Sequence, residues 1–208
     1  MEDIFSAIYR GNLWGSDESR SGPGSTRERA ADFVPDLLTL LRNLDARVLR
    51  DAPCGDFNWA GLLADAVDRY IGVDVVGEII ARNRILAGSS TTVFLHGDLT
   101  RDPMPAADVI LCRDCLVHFA FADIWRAVHN LQQSGGRYLL TTTFIEHDDN
   151  PDIVTGGWRP LNLERPPFCF PPPLAVVDER CLHSGGSGRD KRLALWELAS
   201  LPASTIVR

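Results

Sequence analysis

Short apolar runs alternate along the chain with longer segments whose apolar residues recur at helical spacing, and that alternation carries the first structural reading. Val48–Asp51, residues 70–74 and 92–95, Val109–Cys112 and Tyr138–Phe144 are brief runs bounded by polar residues or Gly, and each predicts a strand. Helices are predicted between them over 57–67, 76–87 and 121–134. Before the first strand, residues 2–10 predict a short helix and a longer one runs to about Asn43, with Ser25 or Thr26 as its N-cap. Ser134-Gly-Gly136 ends the helix that precedes the β-branched run 138–144, and a closing hairpin is expected near 174–199. Strands that alternate with helices predict an α/β domain with a mostly parallel sheet covered on both faces.

The chemistry begins where the first strand ends. Residues 46–59 run an apolar strand into a tight turn at Gly55, and Asp74 ends the next strand twenty-three residues after Asp51. This is the ground plan of an adenosine-cofactor pocket, because a cofactor can press against backbone only where side chains stay small. A nicotinamide fingerprint needs three glycines so that pyrophosphate reaches the helix N-terminus; here Pro53, Gly55 and Asn58 stand at those places. Asp56 stands where a diphosphate would dock, and it would repel phosphate but receive the ammonium of an amino-acid-bearing cofactor. Asp74 is placed to accept two hydrogen bonds from a ribose diol. The cofactor implied is S-adenosylmethionine.

Four ordered motifs sharpen this. Asp51-Ala-Pro-Cys-Gly-Asp-Phe, Gly72-Val-Asp74-Val, His96-Gly-Asp98-Leu and the run from Asp108 to Phe119 resemble those of class I S-adenosylmethionine-dependent methyltransferases over about residues 25–145. The resemblance implies a Rossmann-like, seven-stranded sheet with an antiparallel last strand. It also implies cofactor contacts from Trp14, Ser25, Asp51, Ala52, Pro53, Gly55, Asp56, Asp74, Val75, Asp98, Leu99 and Arg113, with Asp98 and Leu99 flanking adenine and Asp74 holding ribose. Pro53 and Phe57 replace two glycines of the common loop. Trp14-Gly-Ser, Ser21-Gly-Pro-Gly-Ser25, residues 53–59 and 112–119 and Thr155-Gly-Gly-Trp-Arg-Pro160 are further similar to a bacterial subgroup of that family, and a sugar O-methyltransferase acting on mycobacterial methylmannose polysaccharide precursors looks like a similar small single-domain enzyme. On that likeness the acceptor is a mannoside hydroxyl.

Composition narrows the partners. With 208 residues, 45% of them hydrophobic, the chain is expected to form a single domain. Its parts are an N-terminal lid (1–24), a cofactor-binding core (25–145), a substrate-side insertion (146–173) and closing strands (174–208). A formal charge of −7 with only two short basic clusters disfavours nucleic acid. No membrane-spanning run and no basic, apolar leader are present, so a cytoplasmic location is expected; a homodimer is compatible with the sequence. Five cysteines make no disulfide framework, and Cys112-x-x-Cys115 lacks a second pair, so no zinc is expected.

Two segments outside the core are where substrate identity should be written. Residues 9–25 mix Tyr9 and Trp14 with flexible residues and read as a lid over the cofactor, or else as a disordered leader. Residues 154–173 carry six prolines from Pro160 onward and hold a shape without regular structure. Trp158, Phe168 and Phe170 would give an apolar floor, and Arg159, Asn162 and Arg165 would supply donors to a small-molecule or oligosaccharide acceptor; the alternative is a structural cover over a sheet edge.

Methyl transfer is an in-line displacement, accelerated by alignment and, for an alcohol acceptor, by a base. His118 stands just past the fourth strand, at the edge where open α/β sheets bind ligands. Asp114, four residues earlier, would orient its imidazole if the segment is helical. Residues 146–149 follow the fifth strand: His147 is a reserve base, and Asp148 and Asp149 could hold an optional Mg2+, although an ordinary polar loop explains them equally. The expected activity is small-molecule O-methylation of a sugar or glycan intermediate. An N-methyltransferase and a non-catalytic cofactor-binding protein are the alternatives.

Overall fold

The computed structural model describes residues 1–180 and 188–203, and Cys181 lies outside them. Seven strands form one sheet in the order β3-β2-β1-β4-β5-β7-β6: β1 (Val48–Asp51), β2 (Arg69–Asp74), β3 (Thr92–His96), β4 (Val109–Cys112), β5 (Tyr138–Phe144), β6 (Ala175–Asp178) and β7 (Lys191–Glu197). β1 to β5 are parallel, and β7 pairs antiparallel with both β5 and β6. This is the Rossmann-like, seven-stranded methyltransferase fold expected from the sequence. The order turns around β1 and β4, so their carboxyl ends diverge into a crevice at the switch point.

The central strands β1, β4 and β5 are almost wholly buried because both faces are covered. Leu49, Val109, Leu111 and Leu140 face one layer with α2 (Arg27–Asn43), α3 (Gly61–Ala64) and α4 (Gly77–Ala87), while Ile110, Cys112 and Leu139 face the other, with α5 (Phe121–Gln133). α2 starts at Thr26, whose side chain accepts from the Arg29 N–H. α1 (Glu2–Gly11) closes with Asn12 in the left-handed region, which turns the chain back over the sheet edge. No helix among the described residues is long and apolar enough to cross a membrane.

Two expectations change. The helix anticipated over 57–67 is only Gly61–Ala64. Phe57 has φ 58° and its ring meets Tyr70 and Phe94 edge-on at 5.2 and 5.1 Å, while Trp59 meets Phe33 at 5.3 Å. Phe57 and Trp59, inside the expected helix, are instead anchors of a loop, and tertiary packing overrides local periodicity.

The second concerns residues 146–173, where Phe168, Phe170, Arg159 and Asn162 serve as the structural cover, the alternative reading, and are committed to the protein itself. Phe168 and Phe170 are buried and pack on Trp125 and Trp196 beside α5. The Arg159 guanidinium is buried and donates to the carbonyls of Pro151, Leu116, Val117 and Phe119. Asn162 donates to the His147 carbonyl at 2.8 Å. These polar side chains satisfy backbone groups that a helix or strand would otherwise pair. The Phe168→Ala variant is expected to lose about 3–5 kcal/mol of unfolding free energy, whereas Trp158→Ala, at a residue 52% exposed, should lose less than about 1 kcal/mol; urea denaturation measures both.

Candidate functional site

Parallel strands release their chains at one edge, and Asp51, Asp74 and Cys112 sit there as the last residues of β1, β2 and β4. Above them lies a cleft of about 1000 Å3 of empty space, counted with its open mouth. Asp51, Pro53, Gly55, Asp74, Val75, Asp98 and Leu99 line one end, and Arg113, Asp114 and His118 the other. The N-terminal segment forms the roof through Met1, Phe5, Tyr9, Trp14, Arg20, Ser21 and Ser25.

Asp74 is clamped by backbone: the Gly55 N–H reaches Oδ2 at 3.0 Å and the Val76 N–H reaches Oδ1 at 2.9 Å. Burial pushes its carboxyl up to about 6, against the pull of those N–H groups. Asp51 accepts from the Tyr70 hydroxyl at 2.6 Å. Burial raises it to about 7, opposed by Tyr70 and by the Arg113 charge. Asp98 accepts from the Thr100 N–H and hydroxyl at 2.9 and 2.6 Å, and Asn130 holds the same loop through the Leu99 carbonyl at 2.9 Å.

The roof is pinned from three directions. Arg10 of α1 donates to Glu78 of α4 at 2.6 Å. Asp56 accepts from Ser19 Oγ at 2.9 Å, the Arg20 N–H at 2.7 Å and Ser21 Oγ at 3.3 Å, and its own N–H donates to Ser21 Oγ at 3.0 Å. Gly55 permits this approach: it has φ 53°, and a Cβ there would stand 2.2 Å from Ser21 Oγ. At the far end of the cleft, the Trp14 ring meets the His118 ring with centroids 5.2 Å apart.

At the β4 end, Asp114 has φ 51° and its N–H donates to Thr142 Oγ1 at 2.8 Å. Its carboxylate accepts from Lys191 Nζ at 2.6 Å and lies 3.3 Å from Arg113 Nη1. Burial pushes Asp114 up, but Lys191 and Arg113 outweigh it and hold the carboxyl well below the usual range. Arg113 pairs with buried Glu179 at 2.6 Å, donates to the Gly24 carbonyl at 2.9 Å and lies 4.7 Å over the Phe33 ring. His118 Nδ1 is 2.7 Å from the Gly157 carbonyl. A carbonyl only accepts, so Nδ1 carries the proton and Nε2 of the neutral ring is bare. Burial lowers the His118 pKa below its ordinary 6.5, partly offset by the Gly157 bond.

The structure thus brings together Trp14, Ser25, Asp51, Pro53, Gly55, Asp74, Val75, Asp98, Leu99, Arg113, Asp114 and His118 around one cleft. Several sequence expectations are corrected. Asp56 turns its carboxylate to residues 19–21, so it holds the roof rather than a ligand's ammonium. Ala52 is buried with its N–H on the Leu111 carbonyl, outside the lining. Asp114 is not a helical neighbour of His118, because its left-handed backbone breaks the helix; the Gly157 carbonyl orients the imidazole instead. Arg159 is committed to backbone carbonyls, while Trp158 and Arg165 stand on the outer surface and none of the three lines the cleft. His147 lies beside Asp190 at 3.8 Å, also outside it. Asp148 and Asp149 do not fit a Mg2+ ion: both are exposed, Asp148 faces Arg165, and no three His, Cys, Asp or Glu side chains converge among the described residues.

The sequence reading missed Met1, Phe5, Arg20, Ser21, Trp59 and Phe119 as lining residues. Phe5 and Tyr9 were detectable as an aromatic pair four apart on one helix face.

Residues 50–140 match the sequence profile described as the methyltransferase domain. No curated protein sequence matches the chain. Among solved structures, it is similar to magnesium protoporphyrin IX methyltransferase from Synechocystis PCC 6803 with bound SAM, at 18% identity over 74% of this chain and 76% of that one, with a TM-score of 0.52. Human N-acetylserotonin methyltransferase in complex with SAM is similar at 16% identity over 77% of this chain, with a TM-score of 0.54, and this chain spans 50% of the human enzyme's length. At such identities the likeness is one of fold. Residues 50–140 carry the likeness to the methyltransferase domain, and the chain as a whole adopts the fold of the S-adenosylmethionine-dependent methyltransferases.

Proposed function

We propose that this chain is an S-adenosylmethionine-dependent methyltransferase that methylates a hydroxyl of a small molecule, with a sugar or oligosaccharide intermediate as the acceptor class. The observation that carries the reading is a cleft with two unlike ends: buried carboxylates under β1 and β2, and a bare imidazole nitrogen past β4. The first end fits the cofactor by its donor set. Asp74 keeps lone pairs for ribose hydroxyls, Asp98 and Leu99 flank adenine, and the Asp51–Gly55 loop with Arg113 receives the amino-acid part. An ammonium beside Asp51 restores the ionised form that burial disfavours. When bound, the cofactor supplies an electrophilic methyl group.

At the second end His118 Nε2 takes the proton of the acceptor hydroxyl. The lowered pKa keeps the ring neutral and available near pH 7. Trp14, Phe5 and Phe119 offer apolar faces beside the Asp114 carboxylate, a pairing suited to a ring with one C–H face and hydroxyls at its edge. Support for a sugar comes from this pairing and from the likeness of the motifs around Trp14 and Trp158. The ionised Asp114 also favours a second reading, N-methylation of an amine that binds as its ammonium and gives a proton to His118 Nε2 before the neutral nitrogen attacks the methyl group; product NMR separates oxygen from nitrogen linkage. Residues 1–24 act as a lid, and the charge of −7 argues against a nucleic-acid acceptor.

Calorimetry should show S-adenosylhomocysteine binding to the wild-type protein, weakened about tenfold or more by Asp74→Ala, the loss of hydrogen bonds to a charged group. No binding by the folded wild type removes the proposal. His118→Ala should keep that binding and lower kcat by about 10²–10⁴, measured by mass spectrometry on a panel of sugars, phenols and amines. In the wild type, kcat should fall as pH drops through a value below the ordinary histidine range, because the base must be neutral. Asp56→Ala should speed trypsin cleavage after Arg20, which is exposed but held through its own N–H.

A further inference from the structure

The Gly157 carbonyl orients His118 through one nitrogen, so a single polar contact sets the plane of the ring. The second contact comes from far along the chain. The Trp14 ring meets the imidazole at 5.2 Å with planes 35° apart. Phe5 backs the indole at 6.4 Å and reaches Phe119 at 5.9 Å, so an aromatic row runs from α1 to the loop after β4. Gly22, at φ 95°, leaves room for it: a Cβ there would lie 3.2 Å from Trp14 Cβ. On its C-terminal side the chain around Trp14 is attached to the core by the Asp56 carboxylate through Ser19, Arg20 and Ser21 and by Glu18, which accepts from Asn58 Nδ2 at 2.6 Å; on its N-terminal side it is attached by Arg10 and Glu78.

We infer that Trp14 is a positioning residue for the His118 imidazole, and that the base is complete only while the N-terminal segment is docked through Asp56. The inference rests on the reading of His118 as the base. With the indole in place, the ring cannot rotate and water is kept from one of its faces. When the segment lifts, both constraints go together. Proton removal from the acceptor is thereby confined to the closed cleft, where the methyl donor is shielded from water. The groups that act on the imidazole are otherwise fixed. Asp114 and the Gly157 carbonyl favour its protonated form, and Arg159 and Lys191 disfavour it. Trp14 is the contact contributed by the N-terminal segment and can be changed without touching them.

The test uses the full chain and follows each histidine Cε1–H by NMR across pH, with the His118 signal assigned by its loss in His118→Ala. In the wild type that signal should titrate below the ordinary histidine range. Trp14→Ala should move its midpoint upward and lower kcat by about tenfold, part of the contribution of a positioned base, with S-adenosylhomocysteine binding measured in parallel. Trp14→Phe should restore both midpoint and kcat towards wild type. Asp56→Ala leaves Trp14 and His118 intact and should move the midpoint in the same direction as Trp14→Ala. A wild-type midpoint in either Trp14→Ala or Asp56→Ala overturns the inference. Full turnover in His118→Ala overturns the reading of His118 as base instead, whatever the titrations show.

Discussion

Among the groups that fasten the roof of this molecule to its floor, one carboxylate takes the most bonds. Asp56 accepts three hydrogen bonds from residues 19–21, and that docking encloses the cleft above β1 and β2. Enclosure has electrostatic consequences, because removing water from carboxylates that face a small cavity disfavours their charged forms. Asp51 and Asp74 are both raised by burial for this reason, and each is steadied by a short hydrogen bond or backbone N–H groups. A positively charged ligand with hydroxyl groups meets those needs.

The far end of the cleft is governed by a buried charge cluster. Arg113 and Lys191 supply two positive charges to Glu179 and Asp114, and Lys191 comes from the antiparallel strand β7. The sheet's last strand therefore reaches back to the site. Buried pairs of this kind add little net stability, yet deleting one member leaves an unpaired buried charge, so the cluster specifies geometry more than it strengthens the fold. It holds Asp114 in a left-handed turn, and the chain that follows can place His118 toward the cleft.

Between β5 and β6 the chain crosses over without a helix. Arg159 gathers four carbonyls and Asn162 another, so side chains do the hydrogen bonding that regular structure does elsewhere. Phe168 and Phe170 then seal the face beside α5. The same carbonyl-rich stretch orients His118, through Gly157. A segment that looks like a binding surface in one dimension is a scaffold whose influence on the site passes through a single backbone oxygen.

Much of the fold was legible from the chain itself. Strands β1, β4 and β5 were read at their observed bounds, and Asp51, Gly55 and Asp74 were placed at the crevice, because these depend on local apolar runs, turn geometry and strand ends; Asp98 was implied by the resemblance of its motif. What local pattern determined stops where partners are distant in sequence. Nothing near Asp56 says that Ser19 and Ser21 will occupy it; nothing near Arg159 says that it will turn inward to carbonyls. The helix expected at 57–67 failed because Phe57 and Trp59 found partners on β2, β3 and α2. Which polar groups face a ligand and which are spent on the protein is decided by burial and long-range hydrogen bonding, and these exist only once the chain has folded.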